Sequence, residues 1–184
     1  MVLETERLIL RPLSESDAES LYEYAKSPDV GPIAGWPPHK SVGESRYAIT
    51  HFLNGSECYA VCLKEDNAAI GVIELKLNGH TDMSERDNEC ELGYWLGRPF
   101  WGRGLIPEAA RALLRRAFTE LGMQTVWCGY YDGNEKSRRV QEKCGFSYHH
   151  TTPDLNVPLL GETRCGHVNA LTKQAWLRGQ AERE

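Results

Sequence analysis

Residues 89–96 alternate strictly, with Cys90, Leu92, Tyr94 and Leu96 on one face and Glu91, Gly93 and Trp95 on the other. That is the period of a half-buried strand. Two glycines later the period lengthens: Ile106, Ala109, Ala110, Leu113, Leu114, Ala117, Phe118 and Leu121 recur at helical spacing, and Gly122 stands where it would end the helix. Residues 125–131 return to a strand pattern. Strand, helix and strand over 89–131 predict a crossover unit with parallel strands and a right-handed connection. Ligands of such units sit beyond the carboxyl ends of the strands.

The flanking sequence extends the sheet on both sides. Residues 6–13 set Leu8, Leu10 and Pro12 against Arg7, Ile9 and Arg11, and Ser14 and Asp17 then announce a helix bearing Ala18, Leu21, Tyr22 and Ala25. Pro28 stops it. Gly31, Gly35, Pro37 and Pro38 make the next stretch a stiff loop, carrying Trp36 and His39, before a second helix near 42–53. Residues 58–63 and 68–77 form a hairpin, and a polar, exposed loop over 78–88 leads into the central strand. Asn134 caps a short helix, 136–144, closed by Gly145. Two last strands, 146–152 and 166–172, are joined by a hairpin loop at 153–165, and the tail after Trp176 is polar.

At 184 residues the chain fits one domain. Its net charge of −5, with both signs mixed along the sequence, leaves no electrostatic footprint for nucleic acid. It permits cationic acceptors without demanding them. The six cysteines fall mostly in apolar runs without paired CxxC spacing, and read as small core hydrophobes. Cys165 and His167 are the one close Cys/His pair and lack two further ligands at metal spacing, so no metal is expected. Residues 1–13 alternate apolar and charged positions, and no apolar run reaches membrane-spanning length. A protein of the reducing cytoplasm, with no membrane partner, is the expectation.

The candidate chemistry begins at residues 98–109, RPFWGRGLIPEA. Gly102 and Gly104 allow close backbone turns, and Pro107 and Glu108 suit a first helical turn whose N–H groups are unpaired. Two readings stand: a cradle for a phosphate or pyrophosphate, or a tight strand-to-helix turn. No GxxxxGK[ST] motif is present and the third glycine of a dinucleotide fingerprint is missing, which sets aside both nucleotide folds.

Four strings in order, TERLILRPL with DAESLYEY, ECELGYWLGRPFWGRGLIPEA, NEKSRRVQEKCGF and HVNALTKQAW, resemble the GCN5-related N-acetyltransferases (GNAT). Within that family the similarity is to the branch of RimJ/RimL-type ribosomal-protein N-terminal acetyltransferases, over residues 5–176. The resemblance implies a single α/β (α+β) domain. Its mixed, mostly antiparallel sheet would hold one splayed parallel strand pair, flanked by about four helices. It implies acetyl-coenzyme A as co-substrate, its pyrophosphate on the backbone of Trp101, Gly102, Arg103, Gly104, Leu105 and Ile106. The thioester would lie against Trp95, Leu96 and Gly97, and Asn134 and Ser137 would border the other side. A homodimer is also compatible with it. Two positions depart from the family: Pro99 replaces the usual Gln or Arg, and Gln141 stands where many relatives place a tyrosine acid.

Acetyl transfer to an amine needs a neutral amine and a stabilised leaving thiolate. An N-terminal amine with pKa near 8 is neutralised at pH 7 for about 1.4 kcal/mol, a lysine near 10.4 for roughly 4.6. Glu91, on the strand entering the turn, is the candidate base acting through water, with Glu74 and Glu89 as rivals and a structural role as the alternative. By similarity to the RimL-like branch Ser137 would serve the leaving sulfur; its alternative role is helix capping. Trp36, His39, Glu74 and the hairpin at 153–165 are the candidates for shaping the acceptor side, Trp36 alternatively plugging a gap between helices. The acceptor is a protein N-terminus or a small-molecule amine. The competing reading is a non-catalytic coenzyme-binding module.

Overall fold

The alternation of residues 89–96 builds the strand on which the sheet turns. In a computed structural model, which describes residues 1–77 and 80–181, eight strands run in the order β1 (Leu3–Glu4), β2 (Leu8–Arg11), β3 (Cys58–Leu63), β4 (Ala69–Lys76), β5 (Glu89–Leu96), β6 (Thr125–Tyr131), β8 (Glu162–Thr172), β7 (Ser147–Val157). Every neighbouring pair is antiparallel except β5 and β6. That pair is in register only at Glu89–Thr125, Cys90–Val126 and Glu91–Trp127. Beyond it β5 follows β4 to Leu96 and β6 follows β8 to Tyr131, so the sheet opens into a wedge.

Helices cover both faces. On one, α4 (Leu105–Thr119) lays Leu105, Ala109, Leu113, Ala117 and Phe118 on Leu8, Tyr59, Ile73, Leu92 and Val126. On the other, α1 (Ala18–Ala25) and α3 (Val42–His51) bring Ala18, Leu21 and Ile49 against Ala60, Cys62 and Val72. Five cysteines are buried thiols and Cys165 is half-buried. Among the described residues no helix is long and apolar enough to cross a membrane.

Several elements differ from expectation. The stiff loop contains a helical turn, α2 (Gly31–Ala34), and the polar tail holds α6 (Lys173–Ala181), so with α5 (Glu135–Lys143) six helices are described rather than about four. Trp176 explains the last, because it packs on Phe118 at 5.4 Å between ring centres. The hairpin loop expected at 153–165 shrinks to residues 158–161, since β7 and β8 pair out to Val157 and Glu162. Residues 153–157 and 162–165 are mostly polar and little buried on an extended ribbon, a pattern that reads as loop. Residues 78 and 79 of the loop after β4 lie outside the described residues. Its remainder is less exposed than expected, Thr81 and Ser84 donating to Glu91 and Glu89.

Two polar ties hold α4 in place. Arg116 meets both oxygens of the buried Glu57 from Nε (2.5 Å) and Nη2 (2.6 Å), and Tyr59 donates to Glu57 Oε2 at 2.7 Å. At the first turn Glu108 accepts from Thr5 Oγ1 (2.6 Å) and the Arg7 amide (2.8 Å), while Arg7 also donates to Arg103 O at 2.9 Å. Burial pushes the Glu108 carboxyl up, but these hydrogen bonds outweigh it and the net shift is down. An ionised Glu108 therefore pins the glycine turn.

Candidate active site

The glycine turn has the geometry of an anion cradle. Gly102 and Gly104 both have φ of 75°, the left-handed region that disfavours a side chain, and Gly104 caps α4. Among the described residues nothing accepts a hydrogen bond from the amides of Gly102, Arg103, Gly104, Leu105 or Ile106. Five free amides at one helix start make a site for phosphate oxygens. Across the groove, Lys136 of α5 holds its ammonium 4.7 Å from the Trp101 ring centre. The backbone therefore fits the pyrophosphate of coenzyme A, and Pro99, which lies before these amides, removes none of them.

The wedge supplies the next part. Strand amides alternate between edges, and Gly97 spends its own on Ile70 O at 2.8 Å, on the β4 side. Tyr94 and Leu96 consequently present their amides to the open β6 side. Leu92 O and Leu96 O face the same way, accepting from Cys128 Sγ (3.1 Å) and Trp101 Nε1 (2.7 Å). Within the segment expected to meet a thioester, Leu96 has its amide available there and Gly97 does not.

Trp36, His39, Glu74, Glu91, Trp95, Asn134 and Ser137 line one cavity of about 900 Å³, within the range of small-molecule sites. Leu96, Gly97 and residues 101–106 lie outside its lining and carry the chain on from its end to the cradle. Trp36 stacks edge-on against Trp95 at 5.5 Å and lies 5.2 Å from His39. Trp36 is thus packed against its neighbours and also forms part of the cavity wall. His39 Nδ1 pairs with Ser45 Oγ at 2.8 Å, and burial lowers its pKa against the pull of Glu44.

The three strand glutamates sit in different surroundings. Glu89 accepts from Ser84 Oγ (2.5 Å) and Trp127 Nε1 (2.8 Å); burial raises its pKa but these bonds prevail, leaving it lowered. It anchors β5 to β6. Glu91, 8% exposed, gives one oxygen to Lys76 Nζ at 2.8 Å and the other to Thr81 Oγ1 at 2.7 Å. Glu74 is on the neighbouring strand opposite Gly93, where a Cβ would come within 3.2 Å of its Oε1. Its pKa is raised by burial first and by Glu91, with Lys76 opposing.

Behind Ser137 lies a polar network that the alternation pattern hides. Asn134 Oδ1 accepts from the Ser137 amide at 3.1 Å, the expected cap. Ser137 Oγ also meets the Tyr94 hydroxyl at 2.9 Å and Gln141 Nε2 at 3.2 Å. Gln141 is fully buried; it donates to Gly129 O (3.1 Å) and accepts from Asn169 Nδ2 (2.8 Å). Tyr94 lies on the apolar face of β5, and its ring packs on the core. A tyrosine on an apolar stripe next to a splayed strand pair was the available signal.

Residues 7–147 match the family model described as Acetyltransferase (GNAT) domain. An uncharacterised N-acetyltransferase of Bacillus licheniformis, p20, is 30% identical over 149 residues, covering 78% of this chain and 81% of that protein. YdaF of Bacillus subtilis (strain 168), provisionally named a ribosomal N-acetyltransferase, is 37% identical over 94 residues, 51% of this chain and 47% of its own length. In fold, a GNAT-family acetyltransferase from Bacillus anthracis superposes with a TM-score of 0.81, covering 95% of this chain and 99% of that one at 23% identity. The matched stretch spans the tie at Arg7, the cradle and the wedge: the chain belongs to the GNAT acetyltransferases, enzymes whose acetyl donor is acetyl-coenzyme A.

Proposed function

We propose that this enzyme acetylates a primary amine, either the α-amine of a protein N-terminus or a small-molecule amine, by direct attack within a ternary complex. One observation carries the reading: a single cavity joins two carboxylates, Glu74 and Glu91, to Ser137 across the wedge. The co-substrate supplies an acetyl group activated as a thioester. Free amides at Gly102–Ile106 would hold its phosphates, and the Leu96 amide would hydrogen-bond the carbonyl oxygen as charge develops there. Of the carboxylates named from sequence, the environments favour Glu74 as proton acceptor. Both Glu91 oxygens are hydrogen-bonded, one to an ammonium, whereas burial raises the Glu74 carboxyl above the usual carboxylate range. Glu91 then holds Lys76 in position. Ser137 serves the leaving sulfur, and Trp36 and His39 line the acceptor's approach.

The partial likeness to YdaF, together with the RimJ/RimL-like strings, makes protein N-termini the first acceptors to try. Thiol release from acetyl-coenzyme A should be followed with peptides bearing free N-termini, their N-blocked lysine counterparts, and small amines including polyamines. Release is expected for at least one free amine and for none of the blocked peptides without lysine. Tight binding of acetyl-coenzyme A with no release for any amine would sink the proposal.

A further inference from the structure

We propose that Tyr94 is a positioning residue that, with Gln141, aims the Ser137 hydroxyl into the cavity at the departing sulfur. This rests on Ser137 serving the sulfur, as proposed above. A serine hydroxyl has one proton to give and two lone pairs to fill. Gln141 fills the first. Its Nε2 is 3.1 Å from Gly129 O, a carbonyl that only accepts, so the NH2 end of the amide faces Gly129 and Ser137 and can only donate to Ser137 Oγ. Asn169 Nδ2 on Gln141 Oε1 agrees with that orientation.

Tyr94 fills the second. Either hydroxyl can donate across the 2.9 Å contact, and the Tyr94 O–H also lies 3.3 Å from Ser137 O; in the arrangement proposed Tyr94 donates to Ser137 Oγ, both lone pairs are taken and the serine proton points away from Tyr94 and Gln141. The cavity lined by Ser137 and Tyr94 is the remaining direction. Burial holds the phenol pKa well above its usual value, so Tyr94 stays a neutral donor throughout the working range. The wedge is what lets it reach: β5 has no β6 partner beyond Glu91, and the Tyr94 hydroxyl occupies that gap to meet α5. When the C–S bond breaks as the C–N bond forms, Ser137 O–H donates a hydrogen bond to the sulfur. The amine's proton leaves through the carboxylate to water, and the released thiolate is protonated from water.

The test uses the intact enzyme with coenzyme A, the product, so that ionisation of the bound thiol is read by ultraviolet absorbance against pH without turnover. In the parent protein the bound thiol should ionise at lower pH than free coenzyme A. Tyr94→Phe, with folding checked by circular dichroism, should move that titration back by about one pH unit, the equivalent of one hydrogen bond. It should also lower kcat about tenfold, with the KM for acetyl-coenzyme A unchanged. Ser137→Ala should do the same, and the double variant should be no worse than Ser137→Ala alone. A Tyr94→Phe protein with parental thiol titration and kcat but a lower Tm would overturn the proposal in favour of a structural hydroxyl. A shift with Tyr94→Phe but none with Ser137→Ala would overturn it differently, by removing Ser137 from the sulfur while leaving acetyl transfer intact.

Discussion

The glycine turn and the cavity wall are built by opposite means. On the proposed donor side the contacts would be main-chain amides from residues 102–106, and the side chains nearby hold the turn, as Arg7 and Glu108 do. On the proposed acceptor side the cavity wall includes side chains from α3, β4, the segment after α2 and the β7–β8 hairpin. A backbone site tolerates almost any substitution that keeps its turn. A side-chain site changes with every residue in it. On the proposed function, the turn could therefore stay constant across enzymes with different acceptors, while the cavity wall would set which amine is taken.

The sharpest test of this division is chemical, and it carries the largest expected effect. Replacing Glu74 with Gln should reduce kcat/KM by about 10²–10⁴-fold, the usual range for loss of a positioned base. It should leave acetyl-coenzyme A affinity as it was. The pH profile carries the sign: because the Glu74 pKa is raised, activity should fall as pH drops through a value above the ordinary carboxylate range. Glu74→Gln abolishes that limb, whereas Glu91→Gln should keep it with a smaller loss. Were the limb to vanish with Glu91→Gln and persist with Glu74→Gln, the base would be Glu91.

Next in size is the donor end. Gly102→Ala puts a side chain on a left-handed backbone where no other atom lies within 4 Å, so nothing in the protein opposes it except the backbone itself. That strain is worth roughly 1–2 kcal/mol. Acetyl-coenzyme A should bind about tenfold more weakly by calorimetry, and the ranking of acceptors should not move. A changed ranking would show that the two ends are not separable.

The same contrast explains what could be read before the fold was known. The glycine turn was legible because a backbone turn leaves a local mark: Gly102, Gly104, Pro107 and Glu108 stand within seven residues, between a strand period and a helix period. The central crossover was legible for the same reason. Glu74, Glu91 and Ser137 were named, but their roles depend on Lys76, Thr81 and Tyr94, which reach them from other elements. No spacing rule joins residues 94, 137, 141 and 169. Gln141 made the place of a helix tyrosine look vacant, although a phenol arrives there from β5. The extended hairpin was missed because its strands are paired to each other and largely exposed, so burial left little trace in their sequence.

The smallest effect expected is also the one that probes how the acceptor end is held together. Arg164, on β8, donates from Nη1 to Pro32 O at 2.6 Å and lies 5.2 Å from the centre of the Tyr131 ring. It is thus a tie from the hairpin to α2, whose following residues bring Trp36 to the cavity wall. The guanidinium is planar and its fork fixes direction as well as distance, so lysine would not reproduce the contact. Arg164→Ala should loosen the hairpin against α2, raising the acceptor KM about three- to fivefold, on the scale of one lost hydrogen bond at a partly exposed site. The Glu74 pH limb and the affinity for acetyl-coenzyme A should both stay unchanged, because neither β4 nor the glycine turn touches this tie. If acetyl-coenzyme A affinity fell alongside, the hairpin would be bracing the wedge itself, and the border between the two ends would have to be drawn at α5 rather than across the cavity.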